Sequence, residues 1–317
     1  MDKSFKLSDR QHHAIYNRIE KEQFTGTKPV ENPRVIITGG QPGSGKSKLI
    51  EMSKEHFADG NVVVINGDDL RGFHPQADKI LKMDDKQYAQ RTDPDSREWT
   101  RKLFEKAIET KRNIVFESTM REPGPISKTM EKLKDNGYHV TAKVVAANER
   151  ESTTGIYKRY ESQKADKGYG RFSELSSHDA AYEGMPRTVE HIEKNQLADR
   201  IEVYNRDGDQ LYANEVKNKT WEREPEAIKV IEQERQRMPS LRQIEKFKHD
   251  WLEINDMMKN RQASLKELEQ TREVESKLEK SLDKQLEKAK PTKQKDVVRL
   301  PEKEKPQERD RDEDLSR

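Results

Sequence analysis

The chain has 317 residues, of which 38% are charged and only 30% are hydrophobic. Globular chains carry about 25% charged residues, so this composition argues against one compact core that includes the whole chain. The 62 basic and 60 acidic residues leave a net charge of +2, which provides no overall field that would attract nucleic acid. Cysteine is absent, which excludes disulfides, thiolate metal sites and a cysteine nucleophile.

The sequence also carries no targeting signal that we can identify. Its first residues lack the apolar segment of a secretory signal, and no stretch approaches the roughly 18 consecutive apolar residues of a transmembrane helix. We therefore expect a cytoplasmic protein with no membrane partner, and the near-neutral charge gives no reason to expect a nucleic-acid partner.

Short β-branched runs alternate with helical segments over the first two thirds of the chain. Helices are predicted at 7–24, 45–57, 95–111, 126–135, 154–163 and 177–196, strands at 34–38, 61–65, 113–116 and 139–146, and a polar loop or lid at 164–176. The dipeptide Asp207-Gly208 predicts a hairpin between 200–205 and 210–212. This alternation predicts an α/β fold with a parallel sheet flanked by helices.

The character of the sequence changes beyond residue 214. Residues 215–290 are rich in Glu, Lys, Arg and Gln, with sparse apolar residues at helical spacing. They predict an extended charged helical region, for which a coiled coil is one interpretation, although Pro239 interrupts any single helix. Residues 291–317 are low in apolar residues and predict a disordered tail. The chain thus divides into 1–214, 215–290 and 291–317.

A glycine-rich motif follows the first predicted strand and opens the next helix. Its spacing is that of a Walker A phosphate loop, in which backbone N–H groups and a helix N-terminus surround a phosphate chain. In such a loop the lysine reaches the outer phosphates of ATP and the following hydroxyl ligates Mg²⁺, which makes Ser47 the candidate metal ligand. The motif comprises Gly40, Gln41, Pro42, Gly43, Ser44, Gly45, Lys46 and Ser47.

Acidic residues follow the second predicted strand, where ligands of parallel sheets bind. Either Asp68 or Asp69 is placed to hold Mg²⁺ through water or to accept a proton from an attacking hydroxyl group. The alternative is that these carboxylates only cap the following turn. His74 follows in the same loop, and without a metal partner it fits a structural role or a substrate contact.

The third predicted strand repeats this design, because Glu117, Thr119 and Arg121 stand at its exit. An acceptor, a hydroxyl and a guanidinium suit a polar substrate with hydroxyls and phosphates, although an ordinary salt-bridged loop explains them equally well. Arg159 and Arg171 lie further along the chain, and arginines supplied by a lid can neutralise a transferring phosphoryl group. Spacing alone does not select these two among the many arginines.

Together these segments resemble the zeta toxin family, the toxic kinases of epsilon–zeta toxin–antitoxin pairs. The resemblance covers about 1–214 and rests on GGQPGSGKSKL, VVVINGDDLRGFHP, NIVFESTMR, YKRYES and RIEVYNRDGDQLY. It implies a P-loop kinase domain that phosphorylates UDP-N-acetylglucosamine at the 3′-hydroxyl of the amino sugar. An antitoxin that covers the ATP site is a further family expectation.

The resemblance also implies roles for individual residues. Lys46 and Ser47 would bind phosphates and Mg²⁺, and Asp68 would be the base. Residues that would hold the nucleotide sugar are His74, Glu117, Thr119 and Arg121, and those that would stabilise the transferring phosphoryl group are Arg159 and Arg171. Ser47 replaces a common threonine, and one residue fewer separates the two arginines than in the family pattern.

Two other functions remain open from the sequence. One is a P-loop kinase for another alcohol, such as an antibiotic or a polynucleotide end. The other is an ATP-binding interaction module that recruits a partner through its C-terminal helices. The family resemblance does not extend to 215–317, so inhibition by an antitoxin in trans and inhibition by these helices in cis are both compatible with the sequence.

Overall fold

The computed structural model describes residues 5–289, and the tail predicted at 291–317 lies outside them. A seven-stranded sheet forms its centre, with the order β2-β3-β1-β4-β5-β6-β7. The strands are β1 (Arg34–Gly39), β2 (Val63–Ile65), β3 (Ile114–Glu117), β4 (His139–Val145), β5 (Arg200–Tyr204), β6 (Gln210–Lys217) and β7 (Thr220–Trp221).

The first five strands are parallel, which confirms the predicted sheet. The middle strand, β1, pairs in parallel with β3 on one side and with β4 on the other. Strands β6 and β7 are antiparallel additions at one edge. Because β1 to β3 run the same way, the segments that follow Gly39, Ile65 and Glu117 all emerge at the same edge of the sheet.

Helices cover the sheet, as predicted for an α/β fold. They are α1 (Asp9–Phe24), α2 (Lys46–Lys54), α3 (Gly67–Leu70), α4 (Ala77–Met83), α5 (Tyr88–Glu109), α6 (Pro123–Asp135), α7 (Glu149–Lys167), α8 (Leu175–Lys194), α9 (Ala227–Gln236), α10 (Leu241–Asn260) and α11 (Leu265–Ala289). Between residues 5 and 289, no helix combines the length and the apolar character needed to cross a membrane.

Several elements are longer than the sequence predicted. Helix α5 begins at Tyr88 and includes Pro94, which the prediction had placed before its first turn. Helix α7 continues to Lys167, so the predicted loop at 164–176 is confined to 168–174. Strand β6 runs past residue 214, and the boundary predicted there therefore falls inside a strand; the division into domains itself stays a prediction.

The core lies on both faces of the parallel strands. Val35 and Ile37 of β1 are fully buried, and each such side chain contributes about 1.5–3 kcal/mol on burial. Ala227 and Ile231 of α9 belong to the same core. The first C-terminal helix is therefore packed against the sheet that carries the phosphate loop.

The last two helices fold back onto the same body. We call α10 and α11, residues 241–289, the C-terminal arm. Its apolar residues form a second core with Tyr157 of α7, built around Trp251, Ile254 and Leu278. Many of the sparse apolar residues of this charged region are thus buried, and the arm packs against α7 of the same chain.

Candidate active site

The phosphate loop connects β1 to α2 through positions that require glycine. Gly43 has φ +77°, and a Cβ placed on it would lie only 2.0 Å from the carbonyl oxygen of Ser152. Gly45 has φ +100° and forms the left-handed N-cap of α2. Because side chains rarely adopt this conformation and the first contact leaves no room, the loop closes tightly against α7.

Lys46 lies at the start of α2 with its ammonium group inside the loop. Its Nζ donates to the carbonyl oxygens of Gly40 at 2.8 Å and Gln41 at 3.2 Å, and lies 3.6 Å from Oε1 of Glu117. Burial lowers the pKa of Lys46, and the charge of Glu117 only partly opposes this effect. A buried cation beside the loop is therefore incompletely neutralised by protein groups.

Two hydroxyl groups complete the loop. Ser44 Oγ is buried and has no hydrogen-bond partner among residues 5–289. Because buried polar atoms are nearly always paired, this atom marks a position where a ligand would satisfy it. Ser47 is exposed in the first turn of α2.

The loop is also held from outside by side chains that sequence reasoning missed. Arg206, at the β5–β6 turn, donates through Nη1 to the carbonyl oxygens of Gly43 at 2.7 Å and Glu151 at 2.6 Å. Arg235 of α9 lies 3.4 Å from Oε1 of Gln41 through Nη2. Only folding brings these arginines to the loop, so no spacing in the sequence signals them.

Asp68 lies in α3, directly after β2. The side chain of Asn66 caps this helix by accepting from the Asp68 N–H, and Arg71 Nε donates to Asp68 Oδ1 at 2.9 Å. Desolvation in the crevice raises the pKa of Asp68, but the charge and hydrogen bond of Arg71 and the charge of Arg171 outweigh it and leave the pKa below its usual value. The carboxylate is therefore ionised and oriented.

Arg71 is another residue of the site that the sequence prediction missed. It is itself fixed by Asp93 Oδ1 at 3.0 Å. The available signal was the three-residue spacing from Asp68, because side chains three apart on a helical turn are neighbours. Arg71 thus sets both the orientation and the charge of the candidate base.

A cavity of about 240 Å³ lies beside Lys46 and opens between the ends of β2 and β3. Burial raises the pKa of Glu117 at its wall, and Asp68 and Asp69 add to this rise, while Lys46 opposes it. The lining residues are Asn66, Gly67, Asp68, Arg71, Asp93, Ser96, Arg97, Thr100, Phe116, Glu117, Ser118 and Thr119.

The two candidate arginines lie on the far side of this crevice. Arg159 Nη2 of α7 donates to Ser173 Oγ at 2.7 Å, and Arg171 Nη1 donates to the carbonyl oxygen of Asp68 at 3.1 Å. Both charges contribute to lowering the pKa of Asp68. The structure therefore brings Lys46, Asp68 and both arginines to one edge of the sheet.

Two other predicted substrate contacts lie outside the cavity. His74 is buried, with Nε2 3.0 Å from the carbonyl oxygen of Phe5 and Nδ1 accepting from the N–H of Gln76 at 3.2 Å. Arg121 is exposed and pairs with Glu122 at 3.3 Å. Neither lines the cavity in the described chain, so their substrate contacts stay predictions.

Comparison with known proteins identifies the family of the chain. The family model described as zeta toxin matches residues 17–217. The chain belongs to the zeta toxin family. Among relatives, the toxin zeta of Streptococcus pyogenes is 31% identical over 209 residues, which is 66% of this chain and 72% of that protein. The toxin zeta of Enterococcus hirae is 32% identical over 195 residues, 61% of this chain and 68% of that protein.

The fold of this zeta toxin family member also matches a solved structure. A chain of the PezAT chromosomal toxin–antitoxin system of Streptococcus pneumoniae aligns with a TM-score of 0.69 at 23% identity, and the alignment covers 80% of this chain and 99% of that one. At this identity the match concerns the fold. The zeta toxin architecture, a kinase-like sheet with the phosphate loop after its central strand, is thus confirmed for this chain.

Proposed function

We propose that this protein is a kinase that transfers the γ-phosphoryl group of ATP to a hydroxyl of a sugar nucleotide. The acceptor that we propose is UDP-N-acetylglucosamine, phosphorylated at the 3′-hydroxyl of its amino sugar. The proposal rests on one observation above all. The carboxylate of Asp68 lines a cavity whose wall also carries Glu117, and the ammonium group of Lys46 lies 3.6 Å from the carboxylate of that glutamate.

The phosphate loop fits the triphosphate of ATP. Ser44 Oγ is a buried hydroxyl without a partner in the described chain, and Lys46 is a buried cation whose nearest carboxylate oxygen is 3.6 Å away. Phosphate oxygens would satisfy both groups. Ser47, exposed at the start of α2, would ligate Mg²⁺ together with the nucleotide, and the metal would neutralise charge on the β- and γ-phosphates.

Asp68 would act on the acceptor. In the transfer, a bond forms between the acceptor oxygen and the γ-phosphorus, the bond from that phosphorus to the bridging oxygen of ADP breaks, and the hydroxyl proton passes to the Asp68 carboxylate. Arg71 holds that carboxylate in place through one oxygen, which leaves the other for the hydroxyl. Arg159 and Arg171 would stabilise the charge spread over the equatorial oxygens.

The sugar nucleotide would bind in the cavity beside Lys46. Glu117 and Thr119 line it and offer an acceptor and a hydroxyl for sugar hydroxyl groups. The choice of UDP-N-acetylglucosamine among alcohols comes from the family resemblance.

We also propose that the protein is the toxin of a toxin–antitoxin pair. Its relatives carry the name toxin, and the matched fold comes from a toxin–antitoxin system. An enzyme that consumes a cell-wall precursor needs restraint, so we expect an antitoxin protein as partner. Expression of the wild-type protein should then arrest growth, whereas Asp68→Asn should not. Co-expression with the antitoxin should restore growth to cells that carry the wild-type protein.

The reaction is tested with purified protein, ATP, Mg²⁺ and UDP-N-acetylglucosamine, followed by product mass. We expect one added phosphate in the sugar nucleotide, and a loss of about 10²–10⁴-fold in rate for Asp68→Asn, the usual contribution of a general base. Asp69→Asn is the matched control, because Asp69 accepts from Asn66 and does not line the cavity.

The outcomes separate the alternatives. Equal losses in the two aspartate variants would contradict the role of Asp68. ATP consumption that depends on Asp68 without a sugar product would exclude this acceptor and favour another alcohol. Absence of any ATP turnover, with ATP still bound, would favour an interaction module.

A further inference from the structure

Helix α7 is buried on two sides that face different parts of the molecule. One stripe faces the phosphate loop and the crevice, through Ser152, Gly155 and Arg159. A Cβ on Gly155 would lie 2.8 Å from the carbonyl oxygen of Gly43, and the charge of Arg159 lowers the pKa of Asp68. This side of α7 therefore belongs to the candidate active site.

The opposite stripe of α7 contacts the C-terminal arm. The indole Nε1 of Trp251 donates to Thr154 Oγ1 at 3.0 Å, and its ring packs on Tyr157 with centroids 5.5 Å apart. Trp251 is 1% exposed. Lys158 pairs with Asp250 and, at 2.7 Å, with Glu253. Three residues of α7 that precede Arg159 are therefore in contact with α10.

An ion pair joins the end of the same stripe to both arm helices. Arg261, which follows α10, donates to both carboxylate oxygens of Glu161, at 2.7 and 3.0 Å, and Glu161 is 2% exposed. Arg261 also lies 3.1 Å from Glu267 of α11. A bidentate pair of this kind fixes direction as well as distance, and Glu161 stands two residues after Arg159.

The loop that carries Arg171 is tied to the same cluster. Phe172 packs edge-on against Tyr157 and Tyr160, with centroids 5.6 and 5.1 Å apart. It lies against the core formed by Trp251 and its neighbours. Each candidate arginine thus has a close sequence neighbour anchored in the arm.

We propose that Trp251 and Arg261 are positioning residues for phosphoryl transfer, which act by fixing α7 and the 168–174 loop and thereby Arg159 and Arg171. The inference rests on the proposed kinase function. The charged C-terminal region would then contribute to phosphoryl transfer, although neither Trp251 nor Arg261 reaches the crevice. A small displacement of a charged group at a reacting centre is costly, so the effect falls on the chemical step.

The experiment uses the full chain and four variants. Trp251→Phe keeps an aromatic ring but loses the bond to Thr154, and Glu161→Gln with Arg261→Met removes both charges of the pair. Arg261→Lys keeps the positive charge of Arg261, and Leu252→Ala is the control. Leu252 is on the same helix but is 64% exposed. Two readouts are followed: kcat and KM for ATP, and amide hydrogen exchange of residues 157–175, which requires no activity.

We expect kcat to fall about tenfold in the paired variant and less in Trp251→Phe, because misplacement of the arginines affects the transition state. KM for ATP should change less than about twofold, since the phosphate loop is untouched. Exchange at 157–175 should accelerate in both variants and stay unchanged in Leu252→Ala, and Arg261→Lys should retain part of kcat.

Two results would overturn the proposal. One is faster exchange at 157–175 with unchanged kcat, because the coupling would then have no bearing on transfer. The other is unchanged exchange in the paired variant, which would remove the coupling itself. A wild-type protein that transfers no phosphate would contradict both the proposed function and the positioning role that rests on it, and the exchange result would then report the mechanical coupling alone.

Discussion

Two lysine–glutamate pairs, each with a buried lysine, lie at different places on the sheet. Beside the phosphate loop, Lys46 lies 3.6 Å from Glu117. Within the sheet, Lys143 of β4 lies 3.2 Å from Glu202 of β5. Burial lowers the pKa of both lysines, so desolvation disfavours the charged form of each.

The two glutamates differ in what else they contact. Glu202 also accepts from Arg200 Nε at 2.6 Å and from the hydroxyl of Tyr204 at 2.9 Å. Burial raises the pKa of Glu202, but Arg200 and Lys143 outweigh it and the pKa is lowered. Protein groups alone therefore favour the charged form of Glu202.

Glu117 shows the opposite balance. Its pKa is raised by burial and by the neighbouring carboxylates despite Lys46. Incomplete compensation of this kind is typical of functional sites, where a bound ligand supplies the missing partner. The looser pair lies in the candidate active site, whereas the tighter pair joins β4 to β5 within the sheet.

The largest expected effect is on activity at the looser pair. Lys46→Met should lower kcat/KM by about a thousandfold or more, because it removes a preorganised charge from the transferring phosphate. Its free energy of unfolding should stay within about 1 kcal/mol of wild type, since the lost cation was poorly compensated. Steady-state kinetics and urea denaturation measure the two quantities on the same preparation.

The reverse pattern is expected at the tighter pair. Lys143→Met should reduce the free energy of unfolding by about 3 kcal/mol, because a buried carboxylate loses a partner. The activity of the folded fraction should stay within about threefold of wild type, since no contact of Lys143 reaches the crevice. A large loss of activity without a loss of stability in Lys143→Met would show that the two lysine–glutamate pairs do not differ in function.

A smaller effect concerns pH. The pKa of Glu117 is raised and that of Asp68 is lowered, so Glu117 takes up a proton first as the pH falls. We expect the acid limb of kcat/KM to follow Glu117, and Glu117→Gln to move that limb to lower pH while reducing the plateau about tenfold, the cost of one charged hydrogen bond. An acid limb that is unchanged in Glu117→Gln would assign it to another group.

The smallest effect is expected for Arg71, which acts on Asp68. Arg71→Met should raise the pKa of Asp68 towards its usual value, because it removes the strongest opposing charge. The activity should fall a few-fold, about the effect of one lost orienting contact, and the rise in the pKa of Asp68 is followed by NMR titration of its carboxyl carbon. Asn66→Ala removes the cap of α3 and a contact to Asp69 but no charge beside Asp68, and should leave the pKa of Asp68 unchanged.

Sequence reasoning predicted the features that depend on local pattern. The phosphate loop, the parallel strands and the carboxylates at their exits follow from residue type and spacing within short segments. The family of the chain could be predicted for the same reason. Contacts that form only when the chain folds could not be predicted, because nothing in the sequence links Arg206 to Gly43 or Arg71 to Asp93.

The C-terminal arm shows the same limit. Its sparse apolar residues predicted helices with one buried stripe, but a stripe does not reveal its partner. The partner is α7, whose apolar, hydroxyl and charged residues are buried on several sides. Tyr157 and Glu161 gave no periodic signal because α7 buries residues on two faces and many of them are polar.

The most direct test of the account is the position of the transferred phosphate. Wild type and Lys46→Met are incubated with ATP, Mg²⁺ and UDP-N-acetylglucosamine, and the product is examined by phosphorus and proton NMR. The account predicts a new phosphate ester at the 3′-hydroxyl of the amino sugar with wild type and none with the variant. A sugar nucleotide that stays unmodified with an enzyme that binds ATP, or equal product from the variant, would contradict it.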